Sequence, residues 1–353
     1  MDIKYLPAEW AEQEFVAVIF PHSKTDWRSM LIEATKCFAE IVKQIAVRQR
    51  VVVILDDLLW WQCCAESYNL EKNDNITCVV LDKNTKPNTN DTWARDTLGI
   101  TVFENGKPIL LDFSFNGWGL KFPANLDNLI TSKVFDKYKE TLFENYNYRS
   151  CLNFILEGGS IESDGNGTIL TTKKCLLSEN RNYFSEAKIE QTFSEYFGTK
   201  RVLWLKNGSI AGDDTDSHID TLARFCNENT IAYVKCENKN DEHFAELQAM
   251  ESELKSFLTA DGLPYSLVPL PMADKVIFDG VRLPATYANF LIINEAVLLP
   301  TYNSPKDKIA AETLQKVFPD RKIVQIDCLP LIKQRGSLHC VTMQFPKLDE
   351  RHE

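Results

Sequence analysis

The sequence lacks the features that mark membrane, secreted and structural zinc proteins. No stretch of its 353 residues approaches the roughly 20 apolar residues that a membrane-spanning helix needs. Residues 1–13 hold no apolar core of the kind found in signal peptides. Although there are 10 cysteines, no C-x-x-C pair occurs, which disfavours a structural zinc site. We therefore expect a reduced, cytoplasmic protein.

Signatures of nucleotide binding and of domain division are also missing. No G-x-G-x-x-G or P-loop motif opens a predicted helix, so the usual phosphate-binding turns are absent. No linker rich in glycine, serine or proline interrupts the chain, and no literal repeat is visible. The sequence therefore predicts one domain, residues 1–353.

Positive charge is in short supply. Asp and Glu number 50 against 39 Lys and Arg, which gives a net charge of −11. A chain of this charge repels nucleic acid and anionic membrane surfaces, and we expect neither as a partner. It suits a small cationic molecule better. The sequence does not decide the oligomeric state, and a homodimer stays open.

The pattern of apolar residues predicts alternating helices and strands. Residues 51–55 form a continuous apolar run, typical of a strand covered on both faces. A helix capped by Thr25 or Asp26 is expected before it, because apolar residues follow at gaps of three and four. A second helix is predicted over residues 125–145, and a polar loop over residues 83–90.

The order of these elements predicts an α/β fold built from modules. Strand, helix, strand and strand recur along the chain, and residues 290–293 and 297–299 read as a hairpin. Four or five such modules around a common centre explain the pattern. A doubly wound parallel sheet is the structural alternative.

The densest group of chemical side chains is Gly212-Asp213-Asp214-Thr215-Asp216-Ser217-His218-Ile219-Asp220. Four carboxylates and a histidine within nine residues are costly to bring together unless a cation neutralises them. In extended backbone, alternate residues of this run face one side. The cation is either a metal or an organic cation; the ligands of the first case would be Asp214, Asp216, His218 and Asp220.

Three further places carry candidate functional residues at the ends of predicted strands. In Trp93-Ala94-Arg95-Asp96, the indole offers a flat face to a cation and the carboxylate accepts two N–H groups. In Glu157-Gly158-Gly159-Ser160, the paired glycines allow close approach of the backbone. In Gly336-Ser337-Leu338-His339-Cys340, a thiol enters a predicted strand at the lip of a cleft.

A catalytic Cys340 needs a base or a cationic substrate, because the thiolate is the nucleophile. His339 is its neighbour, but adjacent side chains of a strand point to opposite faces, so we expect it to be structural. His218 is the better partner. Several carboxylates beside a thiol suit a guanidinium, whose planar N–H groups match carboxylates on two sides. The bound cation would also lower the pKa of the thiol.

The sequence resembles the agmatine deiminases (agmatine iminohydrolases), a family of guanidine-modifying enzymes that includes the bacterial peptidylarginine deiminases. The matching segments keep the family's order over essentially the whole chain: Leu6-Pro7-Ala8-Glu9-Trp10, Pro21-His22 with Thr25-Asp26-Trp27, Trp93-Ala94-Arg95-Asp96, Glu157-Gly158-Gly159-Ser160, Gly212 to Asp220 with Ala223-Arg224-Phe225, and His339-Cys340.

The resemblance implies a five-bladed α/β propeller of pentein type with a central active site. It implies hydrolysis of agmatine to N-carbamoylputrescine and ammonia, through an amidino-cysteine intermediate and without metal or organic cofactor. Cys340 resembles the nucleophile and His218 the acid and base. Asp96 and Asp220 resemble the carboxylates that grip the guanidinium, and Glu157 resembles a companion of His218 and of the substrate nitrogens. The positions that line the substrate channel are Trp93, Asp214 and Thr215.

Two departures from the family pattern bear on the substrate. A glycine-rich run usually precedes the His-Cys pair, whereas this chain has Gln334-Arg335-Gly336, and Thr97-Leu98-Gly99 departs from the usual Gly-Pro ending. Arg335 adds a cation near the pocket, which would favour a substrate carrying a carboxylate. Agmatine is the first expectation and a free or peptidyl arginine deiminase the second. A metal-dependent hydrolase and a catalytically silent polyamine-binding protein are the alternatives from other classes.

Overall fold

The structure is a computed structural model that describes residues 4–81 and 87–348. Helices and strands alternate along it, which confirms the predicted α/β class. None of the helices in the described residues has the length and apolar character needed to cross a bilayer. The strands are β1 Lys4–Tyr5, β2 Gln13–Ile19, β3 Arg50–Leu55, β4 Ile76–Val80, β5 Ile100–Glu104, β6 Lys107–Ser114, β7 Asn147–Ile155, β8 Ile161–Ser163, β9 Thr168–Thr172, β10 Arg201–Leu205, β11 Ala223–Asn227, β12 Thr230–Lys235, β13 Ser266–Pro271, β14 Ile277–Phe278, β15 Val281–Arg282, β16 Leu291–Ile293, β17 Ala296–Thr301, β18 Lys322–Asp327 and β19 Thr342–Pro346.

The helices connect these strands and cover their sheets. They are α1 Leu31–Ala46, α2 Leu58–Tyr68, α3 Ala94–Thr97, α4 Gly117–Leu120, α5 Ile130–Tyr138, α6 Lys173–Leu176, α7 Glu186–Phe197, α8 Phe244–Ser256, α9 Lys306–Val317 and α10 Leu329–Ile332. Turns of 3-10 helix add the segments Asp26–Met30, Asp127–Leu129, Gly158–Ser160 and Ile219–Thr221.

One topological unit recurs in the described residues. An antiparallel hairpin is followed by a crossover that returns the chain parallel to the hairpin's second strand, as in β5-β6-β7, β8-β9-β10, β11-β12-β13 and β16-β17-β18. Parallel neighbours need such a crossover, and a helix supplies its length. These are the repeated modules that the element order predicted, and the hairpin of β16 and β17 is confirmed.

The fifth unit joins the two ends of the described chain. Its sheet has the order β19-β2-β3-β4, with β19 antiparallel to β2 and the remaining pairs parallel. Phe345 of β19 lies opposite Phe15 of β2, and their rings stack with centroids 4.4 Å apart. In this unit, the antiparallel pair that corresponds to the hairpin of the other units is formed by strands far apart in sequence, β19 and β2.

The cores of the sheets follow from the apolar pattern. Val51 to Leu55 are all buried, so β3 is covered on both faces as predicted. Helix α1 buries Phe38, Ile41 and Ile45 on one stripe against it, at the spacing of one helical face.

Two predicted helix boundaries are wrong. The Thr25 hydroxyl donates to the His22 carbonyl oxygen at 2.7 Å instead of capping a helix, and a 3-10 turn precedes α1. The helix predicted over residues 125–145 is only α5. The Asp127 carboxylate accepts the backbone N–H of Asn90 at 2.6 Å, which ties the first residues of that stretch to a neighbouring loop. The residues after α5 leave the helix in a turn, in which the backbone N–H groups of Thr141 and Leu142 both donate to the Tyr138 carbonyl oxygen. The predicted loop at residues 83–90 lies partly outside the described residues.

Candidate active site

The residues singled out from the sequence occupy equivalent places in successive units. Each lies in the connection just before the first strand of a unit: Asp96 before β5, Glu157 before β8, Asp220 before β11 and Cys340 before β19. The remaining unit places Asn289 before β16. Equivalent connections lie at the same edge of each sheet, which explains how residues so distant in sequence meet.

A single cleft collects most of them. It encloses about 610 Å³ of space, including its open mouth. Six aspartates and one arginine are among its lining residues, so the cleft is strongly acidic and suited to a cation. The lining residues are Asp26, Asp91, Trp93, Asp96, Trp118, Phe122, Asp213, Asp214, Thr215, His218, Asp220, Thr221, Gln334, Arg335, Gly336 and Cys340.

Cys340 lies at the floor of this cleft and is only 7% exposed. Its Sγ atom is 3.4 Å from Asn289 Oδ1 and 3.8 Å from Asp220 Oδ2. Burial raises the pKa of the Cys340 thiol well above its usual value, and the negative charges of Asp220 and Asp96 raise it further. The raised pKa favours the neutral thiol, and a cation bound beside the sulfur would favour the thiolate.

Asn289 holds the turn that carries the thiol. Its side-chain oxygen accepts the backbone N–H of His339 at 2.9 Å and that of Cys340 at 3.4 Å, and its amide donates to the Asp220 carbonyl oxygen at 3.3 Å. Sequence reasoning missed this residue because a neutral amide stands out in no charge pattern. The signal that could have found it is its place in the repeated unit.

Asp220 presents one carboxylate oxygen without a partner in the described structure. Its Oδ2 atom accepts His339 Nδ1 at 2.8 Å, whereas the buried Oδ1 atom has no hydrogen-bond partner. Burial favours the neutral acid, but the hydrogen bond and charge of His339 outweigh it, so the pKa of Asp220 is lowered. A buried carboxylate oxygen left unpaired is costly, and a ligand N–H group would satisfy it.

Asp96 faces the same space from a different unit. Trp118 Nε1 donates to its Oδ2 atom at 2.8 Å, and the Gly159 backbone N–H donates to Oδ1 at 2.9 Å. Burial raises the pKa of Asp96, with a contribution from Asp220. Residues 94–97 form α3, so Asp96 lies on a helical turn rather than at the predicted strand start.

Gly159 is required where these groups converge. A Cβ atom built there would lie 2.7 Å from His218 Nδ1, 2.9 Å from Asp96 Oδ1 and 3.0 Å from Asp220 Oδ2. The first two distances are shorter than real Cβ contacts and the third is tighter than most, so a side chain at this position would displace the site. The close approach expected of the paired glycines is confirmed.

His218 lies between two carboxylates and is buried. Its Nδ1 atom is 3.7 Å from Asp96 Oδ1, and its Nε2 atom is 3.8 Å from Glu157 Oε2. Burial lowers the pKa of His218, but the charge of Asp96 and further contributions from Cys175 and Glu157 outweigh it and hold the pKa well above its usual value. The raised pKa favours the imidazolium form, which can serve as an acid.

Glu157 lies behind His218 and does not line the cleft. Arg181 Nε approaches its two carboxylate oxygens at 2.8 and 3.1 Å, and neither side chain is exposed. Burial opposes the charged form, but Arg181 and then His218 outweigh it, so the pKa of Glu157 is lowered. The expected neighbourhood of Glu157 and His218 is present, with 3.8 Å between Glu157 Oε2 and His218 Nε2, and a contact of Glu157 with substrate nitrogens stays a prediction.

Arg181 was missed from the sequence although it joins two parts of the site. Its Nη1 atom donates to Asp216 Oδ2 at 2.7 Å and its Nη2 atom to the Thr215 carbonyl oxygen at 2.9 Å. The same guanidinium thereby holds Glu157 and the segment that leads into His218. It lies in a short polar stretch that looks like an exposed loop.

The acidic run does not adopt the extended backbone that the alternation argument assumed. Asp216 and Ser217 have φ values of 66° and 65°, and Asp213 Oδ2 accepts the Ser217 backbone N–H at 2.7 Å. The run is a tight turn, and Asp216 points away from the cleft to Arg181 and Lys121. The expectation that alternate residues share one side is wrong because the carboxylate of Asp213 organises the turn.

The structure also bears on the metal alternative. In the described part of the chain, the group of side chains close enough to share a metal ion is Glu157, Cys175 and His218, with ligand atoms within 4.8 Å of one another. Arg181 already neutralises the carboxylate of this group. The set expected for a metal-dependent hydrolase does not converge, since Asp216 is directed elsewhere.

Comparison with known proteins decides the family. Residues 5–346 match the family described as Porphyromonas-type peptidyl-arginine deiminase. The chain belongs to this family. The agmatine deiminase of Pseudomonas aeruginosa is 30% identical over 372 residues, a match that covers 97% of this chain and 95% of that protein.

Solved structures agree in fold over nearly the full length. A Porphyromonas gingivalis protein assigned provisionally as an arginine deiminase is 47% identical, with a TM-score of 0.88 and coverage of 98% of this chain and 99% of that one. A cysteine-to-serine variant of the C. jejuni agmatine deiminase, solved with substrate bound, is 40% identical with a TM-score of 0.88. That match covers 98% of this chain and 97% of the other.

Of the two segments that depart from the family pattern, Gln334-Arg335-Gly336 lines the cleft, at its outer end, whereas Thr97-Leu98-Gly99 is not among the lining residues. Arg335 Nε is 3.9 Å from Asp214 Oδ2, and Arg335 Nη1 donates to the Gly212 carbonyl oxygen at 3.3 Å. The Trp93 ring lies so close to Gly336 that a Cβ atom there would be 2.1 Å from a ring carbon. Trp93 thus forms one wall of the cleft and fixes the loop that precedes the thiol.

His339 is structural, as expected, but for a different reason. Its Nε2 atom is 2.6 Å from Glu9 Oε2 and its Nδ1 atom is 2.8 Å from Asp220 Oδ2, so both ring nitrogens are engaged by carboxylates. Residues 338–340 form a turn, not a strand, and the alternation argument does not apply to them. The residue holds Asp220 in place from behind the cleft.

Proposed function

We propose that the protein is an agmatine deiminase, which hydrolyses agmatine to N-carbamoylputrescine and ammonia. The observation that carries the proposal is a buried thiol, Cys340, that lines the same acidic cleft as the carboxylates of Asp96 and Asp220. Relatives named agmatine deiminase, aligned over nearly the whole chain, support it. A planar guanidinium fits between two such carboxylates.

Binding of the substrate prepares the nucleophile. The guanidinium donates N–H groups to Asp96 and to the unpartnered oxygen of Asp220, which compensates both negative charges. With the carboxylates neutralised and a cation beside the sulfur, the thiol of Cys340 releases its proton to solvent at the cleft mouth, since His218 is already protonated. The thiolate then attacks the central guanidinium carbon and gives a tetrahedral adduct.

His218 moves the protons of the two half-reactions. As an imidazolium it donates a proton to the departing nitrogen, ammonia leaves, and an amidino-cysteine remains. The now neutral imidazole takes a proton from water as the water attacks the same carbon. The second tetrahedral adduct expels the Cys340 thiolate and, after loss of one proton, releases the carbamoyl product. Glu157, held by Arg181, steadies the imidazolium during this cycle, and Trp93, Asp214 and Thr215 line the path of the aliphatic chain.

We extend the proposal to the architecture. Five units share an antiparallel pair followed by a parallel strand, and the last is closed by pairing of β19 with β2. They support a five-bladed propeller of pentein type around the cleft, formed by one domain of residues 1–353. Cytoplasmic location and a homodimer remain expectations for this domain.

The test is ammonia release from agmatine by the wild type and Cys340→Ser, with and without a chelator. We expect turnover that the substitution abolishes and the chelator leaves unchanged. Cys226→Ser is the matched control, since that cysteine is equally buried but lies outside the cleft lining. Turnover by Cys340→Ser at the wild-type rate would refute the thiol mechanism.

An arginine or peptidylarginine deiminase is the second candidate. The presence of Arg335 in the cleft lining favours it, because a guanidinium can bind the carboxylate that arginine carries and agmatine lacks. The same assay with L-arginine and a blocked peptidyl-arginine distinguishes the candidates. Release mainly from either of these substrates would replace agmatine as the assignment.

A further inference from the structure

The cleft has two ends that differ in charge. The inner end, around Cys340, presents the carboxylates of Asp96 and Asp220. The outer end presents an ion pair, Asp214 and Arg335, with 3.9 Å between Asp214 Oδ2 and Arg335 Nε. A substrate that places its guanidinium at the inner end must direct its other end towards this pair.

The backbone fixes where Arg335 projects. Its N–H donates to the Ile332 carbonyl oxygen at 2.8 Å, at the end of α10, and its φ of 68° is left-handed. A non-glycine residue adopts this conformation at some cost, so local structure must hold it. The next residue, Gly336, is packed against the ring of Trp93. The side chain therefore enters the cleft from a backbone anchored on both sides.

The guanidinium itself is held loosely. The Arg335 side chain is 42% exposed, and the 3.9 Å between its Nε atom and Asp214 Oδ2 is long for an ion pair. It donates a hydrogen bond to the Gly212 carbonyl oxygen at 3.3 Å. Partly exposed pairs of this kind contribute little stability, so a ligand group can displace either partner. A charged group of a substrate can therefore replace either member of the Asp214–Arg335 pair at the outer end of the cleft.

Asp214 is the group for which a substrate would compete. Burial and the nearby charge of Asp213 raise its pKa to about 6, while Arg335 and Lys121 oppose that rise. Lys121 is directed to the Asp214 carbonyl oxygen and the Asp216 carboxylate, not to the Asp214 side chain. Arg335 is thus the cation of the cleft lining that faces this carboxylate.

We propose that Arg335 is a specificity-determining residue that selects substrates by the group at the end opposite the guanidinium. A distal ammonium must displace Arg335 from Asp214, so Arg335 weakens the binding of guanidines that end in an ammonium. A distal carboxylate gains Arg335 as a partner, so the same residue admits guanidines that the acidic cleft would otherwise repel. This inference rests on the proposed guanidine hydrolysis and adds the choice of distal group.

The experiment compares three guanidines of equal chain length: agmatine, uncharged butylguanidine and guanidinobutanoate. For wild type and Arg335→Gln, kcat/KM for each charged substrate is divided by the value for butylguanidine, which removes effects on the thiol and on folding. We expect the substitution to raise the agmatine ratio by about threefold to fivefold and to lower the guanidinobutanoate ratio by a similar factor, the scale of a partly exposed ion pair.

Lys333→Gln is the matched control. It removes the same charge two residues away, from a lysine that pairs with Glu33 and does not line the cleft. Both ratios should stay at their wild-type values in this variant. Ratios that move equally in Arg335→Gln and Lys333→Gln, or in neither, overturn the inference.

Binding measurements separate failure of this inference from failure of the proposed function. Calorimetric affinities of the three compounds for Cys340→Ser, with and without Arg335→Gln, report on the outer end without turnover. If wild type releases ammonia from none of them, the proposed function fails, and affinities that shift as above still support the role of Arg335. If ammonia is released but neither ratios nor affinities shift, only the specificity inference fails.

Discussion

Removal of the Arg181 guanidinium should disable the site although Arg181 itself does not line the cleft. Arg181 contacts Glu157 through both carboxylate oxygens and Asp216 through one, and its side chain is fully buried. Loss of one partner from a buried ion pair costs about 3–5 kcal/mol, because the remaining charge is left uncompensated. Arg181→Met should therefore lower the free energy of unfolding by about that amount.

The activity should fall as well, for a reason that stability alone does not supply. Arg181 is the strongest of the groups that lower the pKa of Glu157 against the effect of burial. Without it the pKa of Glu157 rises, so the carboxylate is lost at a higher pH and His218 loses its neighbour. The stability that Glu157 contributes is present above its unfolded pKa and vanishes as pH falls through the folded value, which moves upward in the variant. We expect kcat to drop about a hundredfold, the cost of a misplaced catalytic group.

The assay pairs urea unfolding with the pH profile of kcat for ammonia release. Arg149→Met is the control, since Arg149 also pairs with a glutamate, at 2.6 Å from Glu104, but is 38% exposed and should cost at most about 1 kcal/mol. The double variant Arg181→Met with Glu157→Gln should recover stability but not activity, because no buried charge remains unpaired. A stability loss no larger than that of Arg149→Met, with kcat within threefold of wild type, would refute the reasoning.

Three other outcomes are expected. The KM for agmatine should rise as pH falls below about 6, the pKa of Asp214, whereas KM for butylguanidine should not; a parallel rise would contradict an ammonium contact with Asp214. Gly336→Ala should force the Trp93 ring to move, which costs about 1–3 kcal/mol in unfolding experiments and raises KM; wild-type values would show that the loop yields freely. His339→Gln should raise the pKa of Asp220, because His339 is the main group lowering it, and should shift the acidic limb of kcat/KM to higher pH. An unshifted limb would separate Asp220 from His339.

The repeated order of strands and helices could be predicted because each unit carries its own local pattern. Hairpins and buried strands depend on alternation and apolar runs, which neighbours in sequence determine. Helix ends were less predictable. The composition of residues 125–145 favours a helix. The Asp127 carboxylate, however, accepts a hydrogen bond from Asn90, in a loop that is distant in sequence, and α5 begins only after it. Such contacts between remote segments leave no mark in the local pattern.

The candidate site likewise contains residues that the sequence reveals and residues that only the folded structure reveals. The candidates Cys340, His218, Asp96 and Asp220 could be proposed from the sequence. A thiol, an imidazole and carboxylates at strand ends are chemically conspicuous. Asn289 and Arg181 could not be proposed, since their importance comes from which atoms the fold brings beside them. The turn at Asp216 was misjudged because its positive φ values are imposed by hydrogen bonds that only the folded loop reveals.

Pairing of β19 with β2 has a consequence for how the protein is made. Cys340 lies two residues before β19, so a ribosome that has already synthesised the carboxylates of the cleft has not yet produced the thiol. Until residue 346 emerges, β2 remains an unpaired edge of its sheet, open to other chains. The thiol is therefore synthesised only shortly before β19 can pair with β2. A chain that ends before Cys340 leaves the edge of β2 unpaired and lacks the nucleophile.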